Sequence, residues 1–181
     1  MARWIHALTD LCLGILVGVS VGASVAASVI FGVSRESGYP KQYANTLAGS
    51  MFDRLGLPMV ILAALATAGC IYAALKPPVG VMPSRRLLAA WKLMAAAAVL
   101  MLAGALATQF YFAPTMKHLR ENSTWVDGEL VDPAEKATFG RTHGLSMAVS
   151  LAATVLAAGL VVGRRVGSPV AELKKPISRL T

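Results

Sequence analysis

The chain has 181 residues, of which 56% are hydrophobic and only 14% charged; its mean hydropathy is +0.61 and its net charge +8. Soluble domains run nearer about 45–50% apolar with about 25% charged residues. Here the apolar residues are gathered into long blocks, a pattern that predicts membrane spans and excludes an ordinary water-soluble core. The two cysteines, Cys12 and Cys70, both fall inside apolar runs and lack CxxC spacing. That excludes a disulfide framework or zinc site and predicts two small packing residues.

The predicted elements, in chain order, begin with a span at about 8–31, preceded by Trp4 at the headgroup level. Arg3, the apolar run and Ser24-Val25-Ala26 have the parts of a cleaved leader, but the run is longer than a leader's apolar region. A retained anchor is therefore expected. Gly14, Gly18, Gly22 and Ala26 recur at four-residue spacing, which places them on one helical face. In lipid such a face lets another helix approach to backbone contact. The other helices are accordingly expected to pack around this one.

The cluster from Ser34 to Pro40 ends the first span, and residues 41–55 carry Ala44, Leu47, Met51 and Leu55 on one face. This predicts a short interfacial helix. A second span at about 58–75 is expected to start at Pro58, since proline suits a first helical turn, and to stop at Lys76-Pro77-Pro78-Val79-Gly80. The third span, about 87–112, follows Arg85-Arg86. Pro114 is expected to kink it, with the helix resuming through Met116, His118 and Arg120.

After a polar loop at 121–131, which includes the sequon Asn122-Ser123-Thr124, Asp132-Pro133-Ala134-Glu135 reads as a helix start. A helix from there to Gly163 is about 45 Å long, more than the roughly 30 Å hydrocarbon layer. Its first turns should therefore stand outside the membrane, with the fourth span at about 143–163. Gly159 and Gly163 form a second close-packing pair, and residues 164–181 a basic tail. The fold class is thus all-α, a single four-span membrane bundle.

Four crossings put the N-terminus, the loop at 76–86 and the tail on one side. That side holds Arg3, Lys76, Arg85, Arg86, Lys92, Arg164, Arg165, Lys174, Lys175 and Arg179 against Asp10 and Glu172. The basic residues on the other side are balanced by acidic ones, so the whole excess of +8 lies on one face. By the positive-inside rule both termini are expected in the cytoplasm, in the cell's inner membrane. The tail can also touch anionic lipid. A chain with no folded basic module has no nucleic-acid partner.

Asp10 and Lys92 are full charges inside apolar runs; a snorkelling lysine with a surface aspartate is one reading, a static ion pair across spans one and three a second, and an ion or proton step a third. Met116, His118 and His143 are candidate metal ligands, imidazole and thioether being suited to copper or a haem edge, although no ligand pair has metal spacing. A capping or packing role for His143 is the simpler account. No nucleophile–base motif, phosphate loop or paired carboxylate lies in the spans, so no enzyme activity and no cofactor are expected.

Three segments resemble a known family: Ala48-Gly49-Ser50-Met51-Phe52-Asp53-Arg54, then Ala113-Pro114-Thr115-Met116 with Arg120, and Phe139-Gly140-Arg141-Thr142-His143-Gly144-Leu145-Ser146. Together they resemble the four-helix membrane family called domain of unknown function forty-one forty-nine, which includes a mammalian transmembrane protein linked to cisplatin resistance. Where that family often has a proline before Phe31 this chain has Ser28 and Val29, and where it often has an asparagine in the fourth span this chain has Ser150. The resemblance implies the four-helix fold, with Pro114, Arg120, Arg141, His143 and Ser146 as its motif residues, and implies no activity. The expected function is that of a non-enzymatic accessory or scaffold subunit, whose partners are lipid and other membrane subunits or further copies of itself. The alternatives are metal or small-solute handling, and a haem-binding oxidoreductase.

Overall fold

The structure, a computed structural model, describes residues 2–76, 85–126 and 128–166. It is built on four long helices: α1 (Ala2–Glu36), α2 (Lys41–Leu75), α3 (Arg85–Ala107) and α5 (Pro133–Val166). A π-helical turn at Thr108–Phe112 joins α3 to α4 (Ala113–Asn122), and a two-stranded antiparallel hairpin, β1 (Trp125–Val126) with β2 (Glu129–Leu130), precedes α5. Four helical stretches, Trp4–Glu36, Lys41–Leu75, Leu88–Asn122 and Pro133–Arg164, are long and apolar enough to cross a membrane. Each long helix packs on the one before it, and α5 closes the ring on α1. The protein is an all-α four-helix bundle of membrane-spanning type. Residues 77–84 and 167–181, with the expected proline stop and most of the basic tail, lie outside the described residues.

The core follows alternating three- and four-residue spacing, as a helix must to keep one stripe on its neighbours. On α1 the stripe is Thr9, Cys12, Leu13, Leu16 and Ala23; on α3 it is Trp91, Ala98 and Met101; on α5 it is Ala157, Leu160 and Arg164. On α2 the buried residues are nearly all small: Ala44, Ala48, Gly49, Ala63, Ala66, Thr67, Gly69, Cys70 and Ala73. Both cysteines are buried and free, as packing residues are.

This corrects the expectation that α1 is the close-packing helix. A Cβ placed on Gly14, Gly18 or Gly22 would meet nothing within 4 Å, whereas one on Gly69 would overlap the Thr9 side chain, one on Gly56 the Gln109 carboxamide and one on Gly49 the Arg120 guanidinium. Helices approach closely along α2, where the absent side chains make room for polar groups of α1, the π turn and α4. Thr67 adds a bond across the α2–α3 contact, its hydroxyl donating to the Ala98 carbonyl at 2.9 Å. The second expected pair divides: Gly163 lies against Met94, with a Cβ there 3.4 Å from its sulfur, and Gly159 faces out of the bundle.

A second correction concerns residues 41–58. No separate interfacial helix precedes span two, because α2 runs unbroken from Lys41 to Leu75 with Pro58 inside it. Proline removes one helical N–H, that facing the Arg54 carbonyl, yet Ala44 and Ala48 before it and Ala63 and Ala66 after it share one buried stripe. Packing along that stripe outweighs one lost hydrogen bond.

Pro114 shows a related effect. The chain takes a π turn just before it, and the Ala113 N–H reaches back five residues to the Thr108 carbonyl. The wider turn accommodates a residue that cannot donate. The helix then resumes to Asn122, as expected.

The α1–α2 connection is short because Gly38, at φ +70°, reverses the chain, letting the Tyr39 N–H bond the Ser34 carbonyl at 2.9 Å. At the head of α5, Asp132 caps the Ala134 N–H at 2.7 Å, with Pro133 in the first helical position.

Candidate functional site: two charge clusters and an exposed glycine face

At the end of the bundle that carries the N-terminus, four helices converge on Arg164. Its Nε donates to Asp10 Oδ1 at 2.7 Å, and its Nη2 approaches His6 Nδ1 at 3.1 Å and the His6 carbonyl at 3.4 Å. The guanidinium carbon lies 5.9 Å from the Trp91 ring centroid, within cation–π range. The His6 and Trp91 rings are 6.3 Å apart, and Cys70 of α2 lies beside the guanidinium. The Arg164 side chain is 3% exposed and that of Asp10 40%, so the cluster has one wet side. Two further donors, Arg164 Nη1 and Trp91 Nε1, are buried without a hydrogen-bond partner among the described residues.

Asp10 therefore pairs with Arg164 and not with Lys92, whose side chain is exposed. Hydropathy alone treats Arg164 as a charge flanking the span. Its register shows otherwise, because it lies four residues beyond Leu160 and seven beyond Ala157 on the same buried stripe. Helical phase was the available signal.

At the opposite end, Arg120 of α4 bonds Asp53 of α2 at 3.2 Å while lying across Gly49. Two of the three motif segments, distant in sequence, thus meet in one clasp: glycine gives the room, aspartate the charge and arginine the arm. Pro114 and the π turn set the rotation of α4 that delivers Arg120 to it.

The third motif segment stands apart from that clasp. His143 is exposed and stacks on Phe139 at 6.2 Å with the ring planes 1° from parallel; Phe139 in turn meets Trp125 edge-on at 5.7 Å. Arg141 is exposed and Ser146 buried. His118 is exposed and shares a 3.0 Å contact with the Asn122 amide through Nδ1, and Met116 is half-buried on the same helix. The weak metal candidates are thus engaged separately, and no group of three His, Cys, Asp or Glu suited to a metal occurs among the described residues.

The hairpin lies between the ends of α2 and α5 that are remote from the N-terminus. Gly128, at φ +77°, is pressed against Lys41, a place where any side chain would be both strained and crowded. Lys136 of α5 bonds Glu129 and, through that bond first and its charge second, lowers the glutamate's pKa below its ordinary value, with Lys41 adding to the effect.

The remaining feature is the outward face of α1. Gly14, Gly18 and Gly22 lie on it with Leu11, Val21, Val25 and Val29, all exposed, and Ala26 at its edge is half-buried. In a bilayer this is a shallow groove bordered by valines.

The bundle and its span lengths define a multi-pass membrane protein. The chain matches the family described as Domain of unknown function (DUF4149) over residues 11–124, and it belongs to that family. The matched region contains the whole Gly49–Asp53–Arg120 clasp. No curated protein and no solved structure matches the chain.

Proposed function

We propose that the protein is a non-enzymatic accessory or scaffold subunit of a membrane assembly. In this reading it resides in the cell's inner membrane with both termini in the cytoplasm, and it associates with other membrane subunits or further copies of itself through the outer face of α1. The observation that carries the reading is the placement of Gly14, Gly18 and Gly22: the residues best suited to close helix approach are left unused by the bundle itself. The charge asymmetry supports the orientation, since four crossings assign the sequence's excess of +8 to the side of the termini.

The same placement makes the test clean. A Cβ at Gly18 meets nothing within 4 Å, so Gly18→Leu fills the groove without touching the bundle. The variant is expected to keep its thermal stability in mild detergent while losing co-purified partners or dropping in oligomer size. Unchanged partners and unchanged size would remove this function.

A further inference from the structure

Among the described residues, the charged groups facing His6 are Asp10 on its own helix and Arg164 on α5; α3 presents the Trp91 ring, and α2 places the Cys70 thiol beside the guanidinium. A guanidinium is always protonated and has no lone pair to offer, so it can only donate. The 3.1 Å contact between Arg164 Nη2 and His6 Nδ1 therefore requires a lone pair on Nδ1. The imidazole must be neutral, with its proton on Nε2. A proton added to Nδ1 would set two donors and two positive charges face to face.

The surroundings do not absorb that change. Asp10 is the near carboxylate, and its Oδ1 already accepts from Arg164 Nε. An imidazolium would compete for the carboxylate that holds α5. Arg164 Nη1 is already buried with no partner among the described residues, so loss of the Nη2 contact would leave a second donor of the guanidinium unsatisfied. These contacts also join the first helix to the last, where the ring of helices closes.

We infer that His6, Asp10 and Arg164 form a proton-operated latch: uptake of one proton at His6 Nδ1 releases the opening turns of α1 from the end of α5. The proton comes from the aqueous phase on the exposed side of Asp10 and forms an N–H bond at a previously free lone pair. The latch is closed at neutral pH, where the imidazole keeps its lone pair, and opens in acid, where Nδ1 takes up the proton. The device is independent of the glycine face, which lies on the outer side of α1, so either can fail without the other.

The test is amide hydrogen exchange on the full chain in lipid nanodiscs at about pH 7.5 and 5.0, corrected for intrinsic rates. Exchange at the amides of residues 4–10 is expected to rise at least tenfold in acid, on the order of a 1.4 kcal/mol change in opening, while the middle of α2 does not respond. His6→Gln, whose carbonyl can still accept from Arg164, is expected to remove the acid response; an equal response in the variant would assign it to Asp10 and overturn the latch. An unchanged wild-type profile would overturn it too. Nitrogen NMR of the wild-type histidines adds a check that no variant's folding can affect: a proton on Nδ1 of His6 at neutral pH would contradict the latch, and a proton on Nε2 agrees with it.

Discussion

Arg164 shows how one residue can set the terms for a bundle. A buried ion pair in a membrane protein is costly to form and more costly to break, because removing one partner leaves a charge with nothing to balance it. Arg164→Ala is expected to destabilise the protein by about 3 kcal/mol, at the low end for such losses because Asp10 keeps contact with water. Thermal unfolding in detergent measures it, and the Lys92→Ala change should have little effect, since that side chain is exposed. At the other end of the molecule, Gly49→Ala forces the Arg120 guanidinium away from its seat and should cost about 1–3 kcal/mol. The exposed Glu129–Lys136 pair supplies a small pH dependence of its own. Because the folded glutamate's pKa is lowered, its contribution is complete above the ordinary value of 4.5 and fades as pH falls through the lowered one. Hairpin amide exchange should therefore rise only in strong acid, below the ordinary glutamate range.

At the scale of elements, the turn at Thr108–Phe112 decides where α4 points. A π turn inserts one residue into a helix, so removing it rotates everything beyond by about 100°. Pro114→Ala restores the N–H that an ordinary turn needs and favours that removal. Arg120 should then leave Asp53, and Arg120→Ala should cost far less stability in the Pro114→Ala background than in the wild type. Equal costs in the two backgrounds would show that the clasp does not depend on the turn.

The elements also show what the sequence made legible. Hydropathy was sufficient to count four spans, and Asp132-Pro133 announced the start of α5, because a cap and a proline at the first position are local chemistry. Pro58 misled for the same local reason: proline suits a helix start, and only the buried stripe shared by Ala44, Ala48, Ala63 and Ala66 reveals that the helix continues past it. The Asp10–Arg164 pair was hidden because partners were sought by depth in the apolar runs, whereas contact is decided by helical face. Likewise, spacing marked Gly14, Gly18 and Gly22 as a face but could not say whether that face turns inward. The near absence of large residues on α2's buried stripe was the signal that the inner positions were already filled.

At the scale of the whole molecule, the bundle separates its tasks. Its two ends are tied by charge, Asp10 with Arg164 at one and Asp53 with Arg120 at the other. Its middle is held by small residues on α2, and its outward α1 face carries a glycine groove bordered by valines. The clasp lies within the region matched to the DUF4149 family, residues 11–124, while Arg164 lies beyond that region and adds a second tie.

Photo-crosslinking in the intact membrane tests the central claim most directly. A photoreactive residue is placed at Val21, exposed between Gly18 and Gly22, and in a parallel sample at Leu151, exposed on α5. Val21 is expected to yield a discrete protein adduct that Gly18→Leu abolishes, and Leu151 to yield lipid adducts only. Lipid adducts alone from Val21, or the same protein adduct from both positions, would contradict an association face on α1.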